Sequence, residues 1–84
     1  MIPMGTIIAH ELARAFDPKT GRGSFELLAV ELDGDGRFVA AGALGQFHYT
    51  HQSDYPSVRR QAESDTVAQY RQIRALRAQL SLLA

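Results

Sequence analysis

Three side chains capable of metal binding or proton transfer lie close together in the middle of the chain. His48, His51 and Asp54 form an H-x-x-H-x-x-D pattern, and imidazole and carboxylate groups at such spacing can bind Zn²⁺ or Ni²⁺ or act as a general base. In an extended strand, residues three apart point to opposite faces, so these groups converge only if the chain turns by Thr50. The pattern therefore offers a histidine-dependent metal-binding protein or enzyme as one hypothesis, beside the simpler interpretation of solvated loop histidines.

A second stretch of potential chemistry lies nearer the start of the chain. The run His10-Glu11-Leu12-Ala13-Arg14 resembles the H-E-x-x-H signature of zinc peptidases, in which two histidines one helical turn apart bind the metal. Arg14 stands at the position of the second histidine, and a cation cannot bind Zn²⁺. We therefore expect an ordinary amphipathic element here.

The run DGDG at residues 33–36 has the clustered oxygen atoms that calcium prefers. An EF-hand loop would also need an oxygen ligand at Arg37, a glycine at Phe38 and a bidentate glutamate at Leu44, and the chain meets none of these requirements. Asp-Gly pairs are strong signals of a tight turn between strands. The run therefore predicts a hairpin turn rather than a calcium site.

Other catalytic signatures are missing from the sequence. No cysteine is present, which excludes thiol nucleophiles, disulfides and thiolate-bound metals. No serine lies in a G-x-S-x-G run, no glycine-rich loop precedes a Lys-Ser or Lys-Thr pair, and GALG at residues 42–45 is too short for a dinucleotide motif. Gly42 and Gly45 instead predict a bulge or a close approach of a helix to a sheet. We expect no cofactor and no enzymatic activity.

The 84 residues allow one domain, spanning residues 1–84, with a thin core. Residues 1–55 carry four basic and seven acidic side chains, and residues 56–84 carry five basic and two acidic ones. A neutral total disfavours general nucleic-acid binding, which needs an excess of cations. The chain has no apolar run of about 18 residues and no basic, apolar leader, so we expect a cytoplasmic protein without a membrane partner.

Alternating hydrophobic residues predict a β-hairpin in the middle of the chain. Residues 24–33 form its first strand, and residues 37–49 return as the second. In the first strand, one face carries Leu28, Val30 and Leu32, and the other carries Phe25, Leu27 and Ala29.

Residues 6–16 have two interpretations. The residue types favour a helix, and Ile8, Leu12 and Phe16 recur at four-residue spacing. In a strand, the same three residues share one face with His10 and Arg14 between them.

The turn-forming run DPKTGRG at residues 17–23 favours the strand, because it suits a connection between antiparallel strands of similar length. We predict an α+β fold: a three-stranded antiparallel β-meander followed by one long C-terminal α-helix packed on one face. The alternative is an α-β-β-α order with residues 6–16 helical.

The last third of the chain predicts a long helix. Pro56 suits a first helical turn, and no further proline or glycine occurs up to about Leu82. A helix of this length reaches about 40 Å and outruns a strand of eight or nine residues, about 28 Å. Its end should therefore overhang the sheet and expose Leu80, Leu82 and Leu83. The stripe expected to face the sheet is Val58, Ala62, Thr66, Gln69, Ile73, Leu76, Leu80 and Leu83.

The exposed side of this helix is expected to be a basic ridge. Arginine presents a planar fork suited to carboxylates and phosphates, and aromatic side chains supply contact area in binding surfaces. The predicted partner-binding residues are Arg59, Arg60, Arg71, Arg74 and Arg77 of the helix, with Phe47, Tyr49 and Tyr55 from the loop before it.

These features favour a small non-enzymatic protein-interaction module. Eight arginines against one lysine suggest a bacterial or phage origin, so we expect an adaptor, a regulator or an inhibitor of a larger bacterial or phage complex, such as an anti-defence (anti-CRISPR-like) protein. The partner is expected to be another protein, and the exposed leucines predict a homodimer through the C-terminal helix.

The alternative function is RNA or DNA binding. If residues 6–16 were helical, the element order and the opening of the last helix, with Ser57, Arg59, Arg60 and Ala62, would resemble a double-stranded-RNA-binding domain. This resemblance implies contact with a nucleic-acid backbone. The chain has Arg59 and Arg60 where such domains use a lysine pair.

Overall fold

The computed structural model describes residues 2–83, apart from the side chain of Leu83. Strands β1 (Thr6–Asp17), β2 (Arg22–Leu32) and β3 (Phe38–Tyr49) form an antiparallel sheet of order β1-β2-β3. One turn of 3₁₀ helix, Gln52–Asp54, leads into helix α1, Tyr55–Leu83, which packs on one face of the sheet. The predicted α+β fold is confirmed, and the α-β-β-α alternative is wrong because residues 6–16 pair with β2 as a strand.

The turn between β2 and β3 follows from aspartate and glycine chemistry. The Gly36 N–H donates to the Asp33 carbonyl over 3.1 Å, and Gly36 has a φ of +80° that a residue without Cβ adopts easily. The Asp33 carboxylate accepts the N–H groups of Asp35 and Arg37 at 2.9 and 3.0 Å. Asp33 therefore serves the hairpin turn that the DGDG run predicts.

A bulge at Leu12 changes which side chains of β1 face the helix. Before it, Ile8 pairs with Val30; after it, Arg14 pairs with Phe25, because the register shifts between Glu11 and Ala13. Strand partners share a face, so Ile8 lies on the helix-free face and Arg14 on the helix side. The expectation that Ile8, Leu12, Phe16, His10 and Arg14 share one face is therefore wrong.

The core lies between β2 and the first part of α1. Phe25, Leu27 and Ala29 of the central strand are 1% exposed or less. Opposite them, the helix buries Ala62, Thr66 and Tyr70. Two of these three helix side chains are small, so the helix packs close to the sheet.

The helix approaches β3 most closely at Gly42. A Cβ at this position would lie 2.5 Å from the Tyr70 ring, so only a glycine leaves room for that ring. Gly42 is also the extra residue where the β2–β3 register shifts between Ala29 and Val30. The predicted bulge and close helix approach are both present at this glycine.

The helix is placed off-centre along the sheet. Its buried stripe runs through Ala62, Thr66 and Tyr70, and Ile73 is half-buried. Residues 74–82 are all exposed, and so is Gln69. The predicted stripe is therefore wrong at Gln69, Leu76 and Leu80. The Leu83 side chain lies outside the described residues.

The predicted overhang exists, but the strands are longer than the eight or nine residues on which that prediction was based. They have 11 or 12 residues, or about 36 to 40 Å, close to the roughly 43 Å of a 29-residue helix. The overhang arises because the helix is displaced along the sheet, and residues 13–17 of β1 stay exposed at the opposite end. We call residues 75–83 the helix overhang.

The sheet face without the helix is partly covered by its own side chains. The His10 and Phe38 rings meet edge to face at 5.1 Å. Val30 and Leu32 of the central strand are buried on this face, whereas Leu44 on β3 is 59% exposed. No helix in residues 2–83 combines the length and the apolar character that crossing a membrane requires.

Candidate protein-binding groove

The arginines of α1 divide into those held in ion pairs and those without one. Arg59 and Arg74 pair with glutamates of the sheet. Among residues 2–83, Arg60, Arg71 and Arg77 form no ion pair. The basic ridge expected from the sequence is therefore not a uniform surface.

Arg59 is built into the junction between the helix and β1. Its guanidinium donates to Glu11 and, at 2.8 Å, to Glu63, and it lies 5.3 Å from the centre of the Phe25 ring. Its side chain is only 20% exposed. We conclude that Arg59 joins the helix to the sheet, and its proposed contact with a partner stays a prediction.

Glu11 is the carboxylate at the centre of this junction. Its hydrogen bond from Arg59 lowers its pKa below the ordinary value, and Arg14, at 3.1 Å, acts in the same direction, while desolvation opposes both. Arg14 also donates to the Tyr55 hydroxyl at 2.7 Å. Glu11 is therefore held in its charged form by two cations from different elements.

Arg74 is held in a similar way at the other end of the docked helix. It donates to Glu31 over 2.9 Å, and the Tyr70 hydroxyl donates to the same carboxylate oxygen over 3.2 Å. Burial raises the pKa of Tyr70, and the hydrogen bond to Glu31 adds to that rise. Within residues 2–83, Arg74 is the last helix residue whose side chain forms a hydrogen bond with the sheet.

The predicted aromatic residues form part of the core. Phe47 stacks on Phe25 with 5.5 Å between ring centres, and Tyr55 meets both Phe25 and Tyr49 edge to face at 5.7 and 5.2 Å. Tyr49 is 7% exposed. These contacts stabilise the start of the helix against the sheet, and any role for these rings in partner binding stays a prediction.

A groove runs between the outer edge of β1 and one side of α1. Residues 7–9 line it from the strand, and its volume is about 570 Å³. The helix lines it with Arg60, Glu63, Ser64, Val67 and Arg71, which form one stripe at spacings of three and four residues. We call this site the β1–α1 groove.

The groove combines an apolar floor with free positive charge. Ile7 and Ala9 of β1 and Val67 of α1 are half-buried. Arg60 and Arg71 stand at the two ends of the helical stripe, about 16 Å apart along the helix axis. Glu63, the one acid of the groove, is already paired with Arg59. The groove therefore suits a ligand with carboxylates at both ends and small or apolar groups between them.

The two arginines of the groove were predicted from the sequence as partner-binding residues, but its other residues were not. Ile7 and Ala9 belong to β1, a segment whose residue types fit a helix as well as a strand. The signal for the helical side was the stripe at residues 60, 64, 67 and 71, which is adjacent to the buried stripe. Only the position of the helix shows that this stripe lies beside β1.

The candidate metal-binding residues do not form a site. His48, His51 and Asp54 are all exposed. No group of three or more histidine, aspartate or glutamate side chains able to hold a metal occurs within residues 2–83. His10 packs against Phe38, and Glu11 binds arginines. The hypothesis of a histidine-dependent metal site gains no support from this arrangement.

The helix overhang presents a second exposed surface. Leu76, Leu80 and Leu82 are 55%, 56% and 87% exposed. No acidic residue follows Asp65 in the sequence. The homodimer through this part of the helix stays a prediction, and sedimentation velocity over a range of protein concentrations would test it.

Comparison of the chain with protein-family models, with curated proteins and with solved structures gave no match. On the surface of the chain, the β1–α1 groove brings two arginines that form no ion pair within residues 2–83 beside half-buried apolar side chains.

Proposed function

We propose that this chain is a small non-enzymatic protein-interaction module whose β1–α1 groove binds an acidic segment of another protein. The observation that supports it is the position of Arg60 and Arg71, two groove arginines that form no ion pair within residues 2–83. Guanidinium groups beside a partly apolar floor can form charge-assisted, bidentate hydrogen bonds with carboxylates. Such contacts supply both attraction and orientation.

The proposed surface is smaller than the ridge expected from the sequence. Arg59 and Arg74 already bind Glu11 and Glu31, so recruiting them would cost contacts that hold the helix on the sheet. Arg60 and Arg71 carry no such cost. Binding of an acidic ligand to these two therefore leaves the fold unchanged.

The small number of basic residues in the groove favours a protein partner over a nucleic acid. Non-specific binding to nucleic acid depends on many phosphate contacts along a strand. The chain has no net charge, and Arg60 and Arg71 are the only basic residues among residues 2–83 that line the groove. Two arginines at a fixed separation instead suit two carboxylates of one protein segment.

The biological role included in this proposal is that of an adaptor, a regulator or an inhibitor of a larger bacterial or phage complex. A groove that captures one segment of a larger protein serves any of these roles by occupying a surface that another molecule needs. The proposal also places the protein in the cytoplasm, which fractionation of expressing cells can test.

The test is capture of partners by charge-reversed variants in the organism that encodes the chain. The groove variant is Arg60→Glu with Arg71→Glu, and the matched control is Arg22→Glu with Arg37→Glu, which makes the same change in charge outside the groove. Partners identified by quantitative mass spectrometry should be retained by the control and lost by the groove variant.

Crosslinking should then place acidic segments of those partners beside residues 7–9. The far-ultraviolet circular dichroism of both variants should match that of the parent. Equal capture by the parent and the groove variant, or capture that nuclease treatment abolishes, would contradict the proposal.

A further inference from the structure

We infer that the acidic segment binds as an extended strand added to the free edge of β1. This inference rests on the protein-binding function proposed above and specifies its geometry. The groove lies beside an edge strand, so a ligand in it meets unpaired backbone groups as well as the two arginines.

The first observation is the position of β1 in the sheet. The strand order is β1-β2-β3, so β1 has a neighbour on one side only. Alternate N–H and C=O groups along its outer edge therefore have no partner in the sheet. The pairing of β1 with β2 is regular from Thr6 to Glu11, before the bulge at Leu12. The Thr6 N–H already donates to the Pro3 carbonyl, so residues 7–11, about 17 Å long, form the regular template for another strand.

The second observation is that the groove continues the layer between sheet and helix. Ile7 and Ala9 lie on the helix side of β1, because Ala9 pairs with the buried Ala29 and Ile7 with Glu31. An added strand would point every second side chain into the groove, toward Val67. Its other side chains would lie beside Ile8, which is 36% exposed on the helix-free face. An added strand therefore finds side-chain contacts on both faces.

The third observation is the distance between the two groove arginines. Residues 60 and 71 are about 16 Å apart along the helix. Side chains on one face of a strand repeat every 6.6 Å or so, which places residues i and i+4 about 13 Å apart and residues i and i+6 about 20 Å apart. The long arginine side chains cover the remaining difference. We therefore expect a segment with acids four or six residues apart and a small apolar side chain between them.

A second copy of β1 is a poorer occupant of the same edge. The acid that β1 would offer to this groove is Glu11, and its carboxylate is already bound by Arg59 and Arg14 of its own chain. A second copy would therefore add a strand but leave Arg60 and Arg71 without carboxylates. Charge complementarity favours an acidic segment from another protein.

The test uses a blocked heptapeptide, Thr-Glu-Thr-Val-Thr-Glu-Thr, as the probe for the intact protein. We expect chemical-shift changes in the amides of residues 6–11 and 60–71, and slower hydrogen exchange at the outer edge of β1. The groove variant Arg60→Glu with Arg71→Glu should weaken binding at least tenfold, roughly the effect of losing one charged hydrogen bond. The same peptide with lysine at both glutamate positions should not bind.

Backbone methylation distinguishes strand addition from simple charge contact. In one peptide the odd-numbered residues carry N-methyl groups, and in the other the even-numbered residues do. Only one set of N–H groups faces β1 in an added strand, so one isomer should lose binding about tenfold or more and the other should lose far less.

Three results would overturn strand addition. The first is equal binding of both methylated isomers and the parent peptide, which would leave the proposed function standing as charge-based docking. The second is no binding of the parent peptide at about 1 mM. The third is a dimer in sedimentation whose exchange protection lies on β1, which would assign the edge to a second copy. Partner capture tests the proposed function independently of all three.

Discussion

The two parts of α1 belong to one continuous helix, yet they meet different surroundings. The docked part, residues 55–74, buries an alanine, a threonine and a tyrosine against the sheet. The helix overhang exposes three leucines. Burial along this helix therefore follows the position of the sheet and not the hydrophobicity of the residue.

The arginines of the helix also differ in their surroundings, because some are held by carboxylates and others are not. Arg59 and Arg60 are neighbours in the sequence, but one is held by two carboxylates and the other by none within residues 2–83. Arg74 is held by one carboxylate, that of Glu31, whereas Arg71, three residues earlier, is held by none within residues 2–83. The paired arginines attach the helix to the sheet, and the unpaired ones are available to a ligand. Substitutions in matched pairs can separate these two roles.

The largest difference in the free energy of unfolding is expected between Tyr70→Ala and Leu80→Ala. Tyr70 is 3% exposed, packs beside Gly42 and donates to Glu31, so its truncation should lower the free energy of unfolding by about 3 kcal/mol. Leu80 is 56% exposed on the overhang, and its truncation should change that energy by less than about 0.5 kcal/mol.

Urea denaturation at several protein concentrations measures the change in the free energy of unfolding for Tyr70→Ala and for Leu80→Ala. A large, concentration-dependent loss for Leu80→Ala would show that a second copy covers the overhang in solution. Equal losses for the two variants would contradict the difference between the docked and overhanging parts.

A second comparison concerns the two glycines at Gly42 and Gly34. Alanine at Gly42 would place its Cβ 2.5 Å from the Tyr70 ring, and moving that buried ring should cost about 1 to 3 kcal/mol. Alanine at Gly34 meets no atom closer than 3.9 Å, so we expect a change within about 0.5 kcal/mol. Thermal denaturation of the two variants checks this, and an unaffected Gly42→Ala protein would show that the helix does not approach β3 so closely.

The third comparison is between neighbouring arginines. Arg59→Gln removes ion pairs to Glu11 and Glu63 and the contact with Phe25, so the free energy of unfolding should fall by about 1 to 2 kcal/mol. Arg60→Gln should cost less than about 0.5 kcal/mol, because Arg60 forms no ion pair in the described chain. Urea denaturation measures both values, because urea is uncharged and keeps the ionic strength constant. A similar loss in the free energy of unfolding for both variants would mean that the contacts of Arg59 do not stabilise the packing of the helix on β1.

The smallest expected effect is the pH dependence that Glu11 contributes. Its pKa is lowered below the ordinary value of 4.5, chiefly by the hydrogen bond from Arg59. A lowered pKa means that the folded state favours the charged form, so this contribution is present at neutral pH and is lost as pH falls below about 4.5. Glu11→Gln should therefore be less stable than the parent at pH 7, by about 1 kcal/mol, and the difference should shrink in acid.

Urea titrations of the parent and Glu11→Gln at pH 7, 5, 4 and 3 would measure this convergence. Two stability curves that stay parallel down to the lowest pH would contradict the role assigned to the Glu11 carboxylate.

The elements of the fold were predictable because their signals are local. Alternation at residues 24–33 predicted β2, and Asp33 and Gly36 form a turn whose hydrogen bonds lie within five residues. The bulge at Leu12 had no such signal, because it is defined by the register of β1 against β2. This single shift moves Arg14 to the helix side and is the reason that the predicted faces of β1 were wrong.

The candidate site was only partly predictable for the same reason. The helix and its arginines follow from periodicity, but the carboxylates that engage Arg59 and Arg74 lie 48 and 43 residues earlier. Spacing within the helix contains no information about such distant partners. The same limit explains why the packing of Tyr49, which ends β3, and Tyr55, which begins the helix, in the core was not predicted from the polar stretch between them.

The amino-acid sequence by itself determined three strands, their turns, a long C-terminal helix and a surplus of arginine on that helix, because hydrophobic period, proline and glycine placement and turn chemistry act over a few residues. The tertiary structure alone decided how far the helix is displaced along the sheet. That displacement determines which leucines stay in water, which arginines meet carboxylates, and which two stand unpaired beside the open edge of β1, because each of these outcomes depends on groups that are distant in the chain and adjacent only after folding.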